Sequence, residues 1–167
     1  MSKEKNLKEG MMAPGFSLVN DQGGEVALES LRGKPVVLYF YPKDDTPGCT
    51  KQACAFTNRG AEFRKLGAVI LGVSKDQIAS HAKFRTKYGL DFPLLSDASG
   101  KVMDAYGVWK ERTLYGRTAL GVERSTFLID REGVIRRAWR KVKVDGHDDV
   151  VLEALKELSN LPRDGGT

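Results

Sequence analysis

Cysteine, histidine and tryptophan are the scarcest residues of this chain, with two of each among 167. No Cys-x-x-Cys pair occurs, and His81 and His147 lie far in sequence from Cys49 and Cys54, so the ligand spacing of a structural zinc site is missing. Two cysteines are also too few for a disulfide scaffold. In a reducing compartment such a pair reads as redox-active rather than structural. No apolar run approaches membrane-spanning length, and the opening M-S-K-E-K-N-L-K-E-G has no hydrophobic stretch behind its charges. These absences lead to the expectation of a soluble, cytoplasmic protein with no membrane partner. Internal repeats and low-complexity tracts are missing too, which removes solenoids and tail-like interaction segments.

What is present suits one domain over residues 1–167, with flexible tails expected at 1–9 and 161–167. Hydrophobic residues make up 41% of the chain, enough for a single sizeable core at this length. Lys and Arg number 27 against 22 Asp and Glu, a formal charge of +5, so acidic partners have to be weighed. The densest basic cluster is Arg136, Arg137, Arg140, Lys141 and Lys143. Its alternation along one strand reads as a solvated edge, and no nucleic-acid motif accompanies it.

The stretch around which the chain is organised is Tyr39 to Cys54, Y-F-Y-P-K-D-D-T-P-G-C-T-K-Q-A-C. The apolar run Val36 to Tyr41 predicts a buried strand, Pro42 ends it, and Thr46-Pro47-Gly48 opens a helix. Thr46 is placed as N-cap and Pro47 at the first helical position, where its missing N–H has no intrahelical partner to lose. Cys49 then falls in the first turn. There the unpaired backbone amides and the positive end of the helix dipole favour a thiolate over a thiol. A buried, inert cysteine is the ordinary alternative, but it requires neither this capping sequence nor a second cysteine five residues on at Cys54.

Along the rest of the chain, Phe16 to Val19 and Glu25 to Ala27 predict an N-terminal hairpin, and Leu28 to Arg32 a helical turn. The helix bearing both cysteines is expected to run to about Leu66, followed by a buried strand Ala68 to Ser74. This makes a right-handed βαβ unit with the reactive turn at the carboxyl end of its first strand. Gln77 to Tyr88 predicts a helix with His81, Phe84 and Tyr88 facing inward, His81 as a hydrogen-bonded core residue. Pro93 to Ser96 gives a short strand and Gly100 to Tyr106 a short helix. Trp109 to Gly121 reads as a polar loop bordering the site. Ser125 to Ile129 and Val134 to Val142 form a hairpin, and a last helix opening at Asp148 places Val151, Leu155 and Leu158 on one side. Periodicity supports an α/β class, a mixed sheet with helices on both faces.

Pro42, Thr46 and Cys49 spell P-x-x-x-T-x-x-C, which resembles the active-site signature of the peroxiredoxins. The longer stretch with Cys54 resembles the subgroup called bacterioferritin comigratory protein or peroxiredoxin Q. Phe92 to Asp97 (F-P-L-L-S-D) and Gly121 to Asp130 (G-V-E-R-S-T-F-L-I-D) agree with it, so that the likeness covers about Gly10 to Leu158. The resemblance implies a thioredoxin-like fold with an N-terminal hairpin extension, and a thiol-dependent reduction of hydrogen peroxide and organic hydroperoxides. It implies Cys49 as the attacking thiolate, Pro42 as a shield from bulk water, Thr46 as a hydroxyl at the sulfur or peroxide, and Arg124 as the fixed positive charge. By itself Arg124 reads as a solvated charge at a strand end. The resemblance also implies Cys54 as the resolving cysteine of an intramolecular disulfide, thioredoxin as reductant, a monomer, and no metal, haem, flavin or nicotinamide.

Two other readings stay open at this point. A protein thiol–disulfide exchanger is disfavoured by the missing Cys-x-x-Cys, and insulin reduction against peroxide consumption separates the two. A non-enzymatic basic module would rest on the arginine cluster and show salt-dependent nucleic-acid retention. The cysteine spacing carries one further expectation. On a regular helix, five residues separate Cα atoms by roughly 8.5 to 9 Å, whereas a disulfide takes about 4.4 to 6.8 Å. A bond between Cys49 and Cys54 therefore requires the helix to open.

Overall fold

The computed structural model describes residues 7–114 and 116–160. Its strands are β1 (Ser17–Asn20), β2 (Glu25–Ala27), β3 (Val36–Phe40), β4 (Val69–Ser74), β5 (Leu94–Ser96), β6 (Trp109–Leu114), β7 (Arg117–Val122), β8 (Ser125–Ile129) and β9 (Ile135–Trp139). Seven of them form the main sheet in the order β2-β1-β5-β4-β3-β8-β9, and β6 pairs with β7 in a separate two-stranded sheet. The helices are α1 (Pro47–Asn58), α2 (Gly60–Lys65), α3 (Ile78–Tyr88), α4 (Lys101–Ala105) and α5 (His147–Ser159), with a 3-10 turn at Leu28–Leu31.

Strand β3 lies at the centre, parallel to β4 on one side and antiparallel to β8 on the other. All five of its residues are buried, which is why the sequence shows an unbroken apolar run there rather than an alternation. Val37, Tyr39 and Tyr41 point to one face, where Ala53 and Phe56 of α1, Phe63 of α2, Phe84 of α3 and Leu152 and Leu155 of α5 cover them. Val36, Leu38 and Phe40 point to the other, packed with Met103 of α4, Tyr106, Phe127 and the N-terminal Phe16. Because β3 is anchored on both faces, the turn leaving its carboxyl end starts from a fixed point.

Four expectations need correction. The helix expected to reach Leu66 breaks at Arg59, whose backbone (φ −101°, ψ 7°) ends α1 before α2 begins. Arg59 there meets Asp148 and Asp149 in the first turn of α5 and Glu62 on α2, a tertiary attachment that favourable local propensity cannot foretell. Trp109 to Gly121 is not a loop: β6 and β7 pair from Trp109 opposite Val122 to Leu114 opposite Arg117, and Gly116 takes φ +76°, a left-handed conformation that tight hairpin turns favour. The last helix opens at His147 rather than Asp148. The strand expected over Val134 to Val142 is shorter, and Val134 bridges Met12 instead. It does stand at the edge of the sheet, as expected, with Arg136 and Arg137 half-exposed; there Arg136 pairs with Asp130, Arg137 with Glu157, and Arg140 donates to the carbonyls of Tyr106 and Gly107 while lying over the Phe127 ring. Of the tails expected to be flexible, 1–6 and 161–167 lie outside the described residues, and Leu7 packs against the core.

Candidate active site

Cys49 occupies the first turn of α1, buried to 2% exposure. Arg124, in the short link between β7 and β8, reaches it across the sheet end: Nη2 donates to Cys49 Sγ at 3.4 Å and Nη1 donates to Gln52 Oε1 at 2.6 Å. The two-pronged guanidinium thus holds the sulfur with one arm and the helix one turn on with the other, a geometry a lysine cannot reproduce. Gly48 makes room for it, because a Cβ there would stand 3.3 Å from Arg124 Nη2. Arg124 is 75 residues from Cys49 in sequence, and the fold brings them together by pairing β8 beside β3.

Thr46 sits at the N-cap position with extended backbone (φ −95°, ψ 157°), but its side chain does not cap α1. Its hydroxyl donates instead to the Lys43 carbonyl at 2.9 Å, which corrects the expected capping bond. That bond leaves the oxygen's lone pairs to accept from an incoming O–H. Pro42 is exposed, directly after the buried Tyr41. Cys54 stands further along α1, partly buried against the aromatic core, and burial pushes its thiol above the ordinary range. Both cysteines are free.

Two residues of this site were not anticipated. Gln52 is buried to 2% exposure and steers Arg124, while its Nε2 has no hydrogen-bond partner among the described residues. Tyr39 Oη is likewise buried without one. Burial first, then the electrostatic influence of Cys49, pushes that hydroxyl well above its usual range, so it keeps its proton. The only sequence signal for Gln52 is its place one turn after Cys49. His147 also lies nearby: its Nε2 meets Thr126 Oγ1 at 2.9 Å, and burial followed by the charge of Arg124 lowers it to about 4.

His81 is the core histidine expected, fully buried between Asp44 and the Leu95 carbonyl. Asp44, Asp76 and His81 place potential ligand atoms within 4.8 Å of one another. Those atoms are already engaged in hydrogen bonds to Tyr41, Ser80, Ser74 and the Asp44 amide, so the group is explained as a buried polar network.

A mixed sheet whose central strand delivers a first-turn cysteine to an arginine fork defines a redox enzyme that works through a thiol. The AhpC/TSA family pattern matches residues 10–138. The chain is 51% identical over 142 residues to a putative peroxiredoxin bcp of Coxiella burnetii, covering 85% of this chain and 94% of that one. To peroxiredoxin Bcp of Bacillus subtilis it is 48% identical over 153 residues, 92% and 98% of the two chains. The solved bacterioferritin comigratory protein of Xanthomonas campestris, studied for alkyl peroxide reduction, superposes with a TM-score of 0.85 at 44% identity over 93% of this chain and 99% of that one. Xylella fastidiosa PrxQ, as a cysteine-to-serine mutant, gives 0.88 at 37% identity over 93% and 99%. The chain belongs to the AhpC/TSA family and is a peroxiredoxin, a thiol peroxidase on a thioredoxin-like fold.

Proposed function

We propose that Cys49 is the peroxidatic cysteine and that Arg124, Thr46 and Pro42 form its pocket, with hydrogen peroxide and organic hydroperoxides as substrates. The observation that carries this is the Arg124 fork on Cys49 Sγ and Gln52. The thiolate attacks one oxygen of R–O–O–H; the S–O bond forms as the O–O bond breaks, and the departing RO⁻ takes a proton to leave as ROH. Arg124 and the first-turn amides stabilise the charge that builds on that oxygen. Thr46 accepts the peroxide O–H, and Pro42 covers the turn. Alkyl peroxide reduction in the Xanthomonas relative supports the organic substrates.

Cys49 is then a sulfenic acid. Cys54 attacks its sulfur, the S–S bond forms, the S–O bond breaks and water leaves. Both cysteines stand on the continuous helix α1, so this step requires α1 to unwind around them. An external dithiol of the thioredoxin type reduces the disulfide by exchange and the helix re-forms. Two free cysteines suit a cytoplasmic monomer of one domain that cycles in this way.

The test is peroxide consumption with a thioredoxin system. Wild type turns over, Cys49→Ser consumes nothing, and Cys54→Ser completes one oxidation but is not recycled. Substantial turnover by Cys49→Ser would overturn the assignment.

A further inference from the structure

The turn between β3 and α1 carries two adjacent acids, Asp44 and Asp45, between the residues assigned to the pocket wall and the pocket hydroxyl, and α3 holds both. Asp44 is 7% exposed. Its Oδ1 accepts from Tyr41 Oη at 2.6 Å, and its Oδ2 accepts from Ser80 Oγ and His81 Nδ1, each at 2.7 Å. Its backbone N–H donates to Asp76 Oδ2 at 2.8 Å. His81 Nε2 faces the Leu95 carbonyl at 3.0 Å, so both ring nitrogens are held. Asp45 has φ +59°, an uncommon conformation for a residue with a side chain. Its two oxygens accept from Lys87 Nζ at 2.9 Å and Tyr88 Oη at 2.8 Å, near the other end of α3.

A turn with one strained residue and two acids needs few bonds to be merely solvated, yet this one is pinned through two points of a helix that takes no part in the chemistry. Thr46, the next residue, then donates back to Lys43 within the same turn, so its oxygen is placed wherever Asp44 and Asp45 are placed. We propose that Asp44 and Asp45 are positioning residues: α3, through Ser80, His81, Lys87 and Tyr88, clamps the reactive turn in the geometry that receives peroxide. This rests on the assignment of Cys49 and Thr46 above. The clamp also has a consequence of opposite sign for the second half-reaction. The arrangement that favours peroxide attack resists the opening that lets Cys54 reach Cys49.

The experiment mixes reduced protein with hydrogen peroxide and follows thiol, sulfenic acid and disulfide by quenched-flow mass spectrometry. In Asp44→Ala the first oxidation slows about tenfold to a hundredfold, the scale of an ångström-level misplacement of a reacting group, while disulfide formation is as fast as in wild type or faster. Asp44→Asn, which keeps the size and an oxygen to accept from Tyr41 without the charge, its amide nitrogen donating to the Ser80 hydroxyl in place of the bond it received, recovers most of the loss. Lys87→Met with Tyr88→Phe frees only Asp45 from the surface side and gives a severalfold version of the same split, and it decides the matter if Asp44→Ala does not fold. A first oxidation unchanged in the folded variants overturns the clamp, as does an equal slowing of both steps. If wild-type protein forms no sulfenic acid at Cys49, the active-site assignment fails instead.

Discussion

Helix α1 holds the same side chain twice, at Cys49 and Cys54, in two different environments. Cys49 is 2% exposed, yet it lies at the helix N-terminus beneath a guanidinium held by Gln52. Cys54 packs against the edge of the aromatic core, where burial pushes its thiol up. Burial alone therefore does not decide reactivity here. The more buried sulfur is the one supplied with positive charge and donors, while burial favours the thiol form of the less buried one, which suits the proposed role of Cys54 as a nucleophile held in reserve until the helix opens.

Removing the charge should abolish most of that difference. Arg124→Ala is expected to slow oxidation of Cys49 by about a hundred- to a thousandfold, the usual cost of losing a preorganised donor at a developing oxyanion. Alkylation of Cys54, measured in a Cys49→Ser background, should not change. Arg124→Lys should recover little, because a single ammonium cannot span Sγ and Gln52 Oε1 together. Equal losses at both cysteines would mean that Arg124 supports the fold rather than the sulfur.

Gln52→Ala probes the same contrast at smaller scale. It removes the acceptor at 2.6 Å that orients Arg124 while leaving the charge in place, so oxidation should slow by about tenfold. Stability should suffer less than a typical buried polar truncation, since the Gln52 Nε2 lacks a partner among the described residues and one unsatisfied donor leaves with it. Stopped-flow oxidation and urea unfolding of one variant test both statements. A wild-type oxidation rate would remove Gln52 from the site.

The disulfide supplies the next test. In the oxidised protein, amide hydrogen exchange across Cys49 to Phe56 should be faster than in the reduced one, by about tenfold or more if the first turn opens. Exchange in β3, anchored on both faces, should be the same in both states. Equal protection of α1 in the two redox states would sink the unwinding step.

How much of this was legible in the sequence follows from how local each feature is. The unbroken run of β3, the Thr-Pro-Gly entry to α1 and the inward face of α3 are encoded within a few residues, and all three stand where expected. The β6–β7 hairpin escaped because its strands leave the main sheet and show no core-facing alternation in sequence, so only Gly116 marked the turn. The break at Arg59 depends on acids 89 and 90 residues downstream, at Asp148 and Asp149, counting 148 − 59 and 149 − 59. Arg124 could be named only through a family likeness, and the grip of Gln52 upon it, like that of His81 upon Asp44, exists only once β3, β8 and α3 are assembled.

The smallest effect concerns His147, which touches both regions: its ring packs edge-on against Phe56 of α1 at 6.3 Å and against Trp139 at 5.5 Å, and it feels the charge of Arg124. Burial, and then that charge, lower it from an ordinary 6.5 to about 4 in the folded protein. A lowered histidine is neutral when folded and takes up its proton more readily when unfolded. Its contribution to stability is therefore complete above about pH 6.5 and is lost as the pH falls toward 4, with a slope of at most about 1.4 kcal/mol per pH unit from one proton. Carboxylates titrate across the lower part of that window as well, so the measurement is a difference: urea midpoints at pH 7, 6 and 5 for wild type and for His147→Gln, whose neutral amide can still meet Thr126. The variant should lose less stability than wild type between pH 7 and 5, with the gap opening mainly below about 6.5. Parallel curves would show that protonation of His147 is not resisted by the fold, and that Arg124 spends its charge on Cys49 without disturbing its other neighbour.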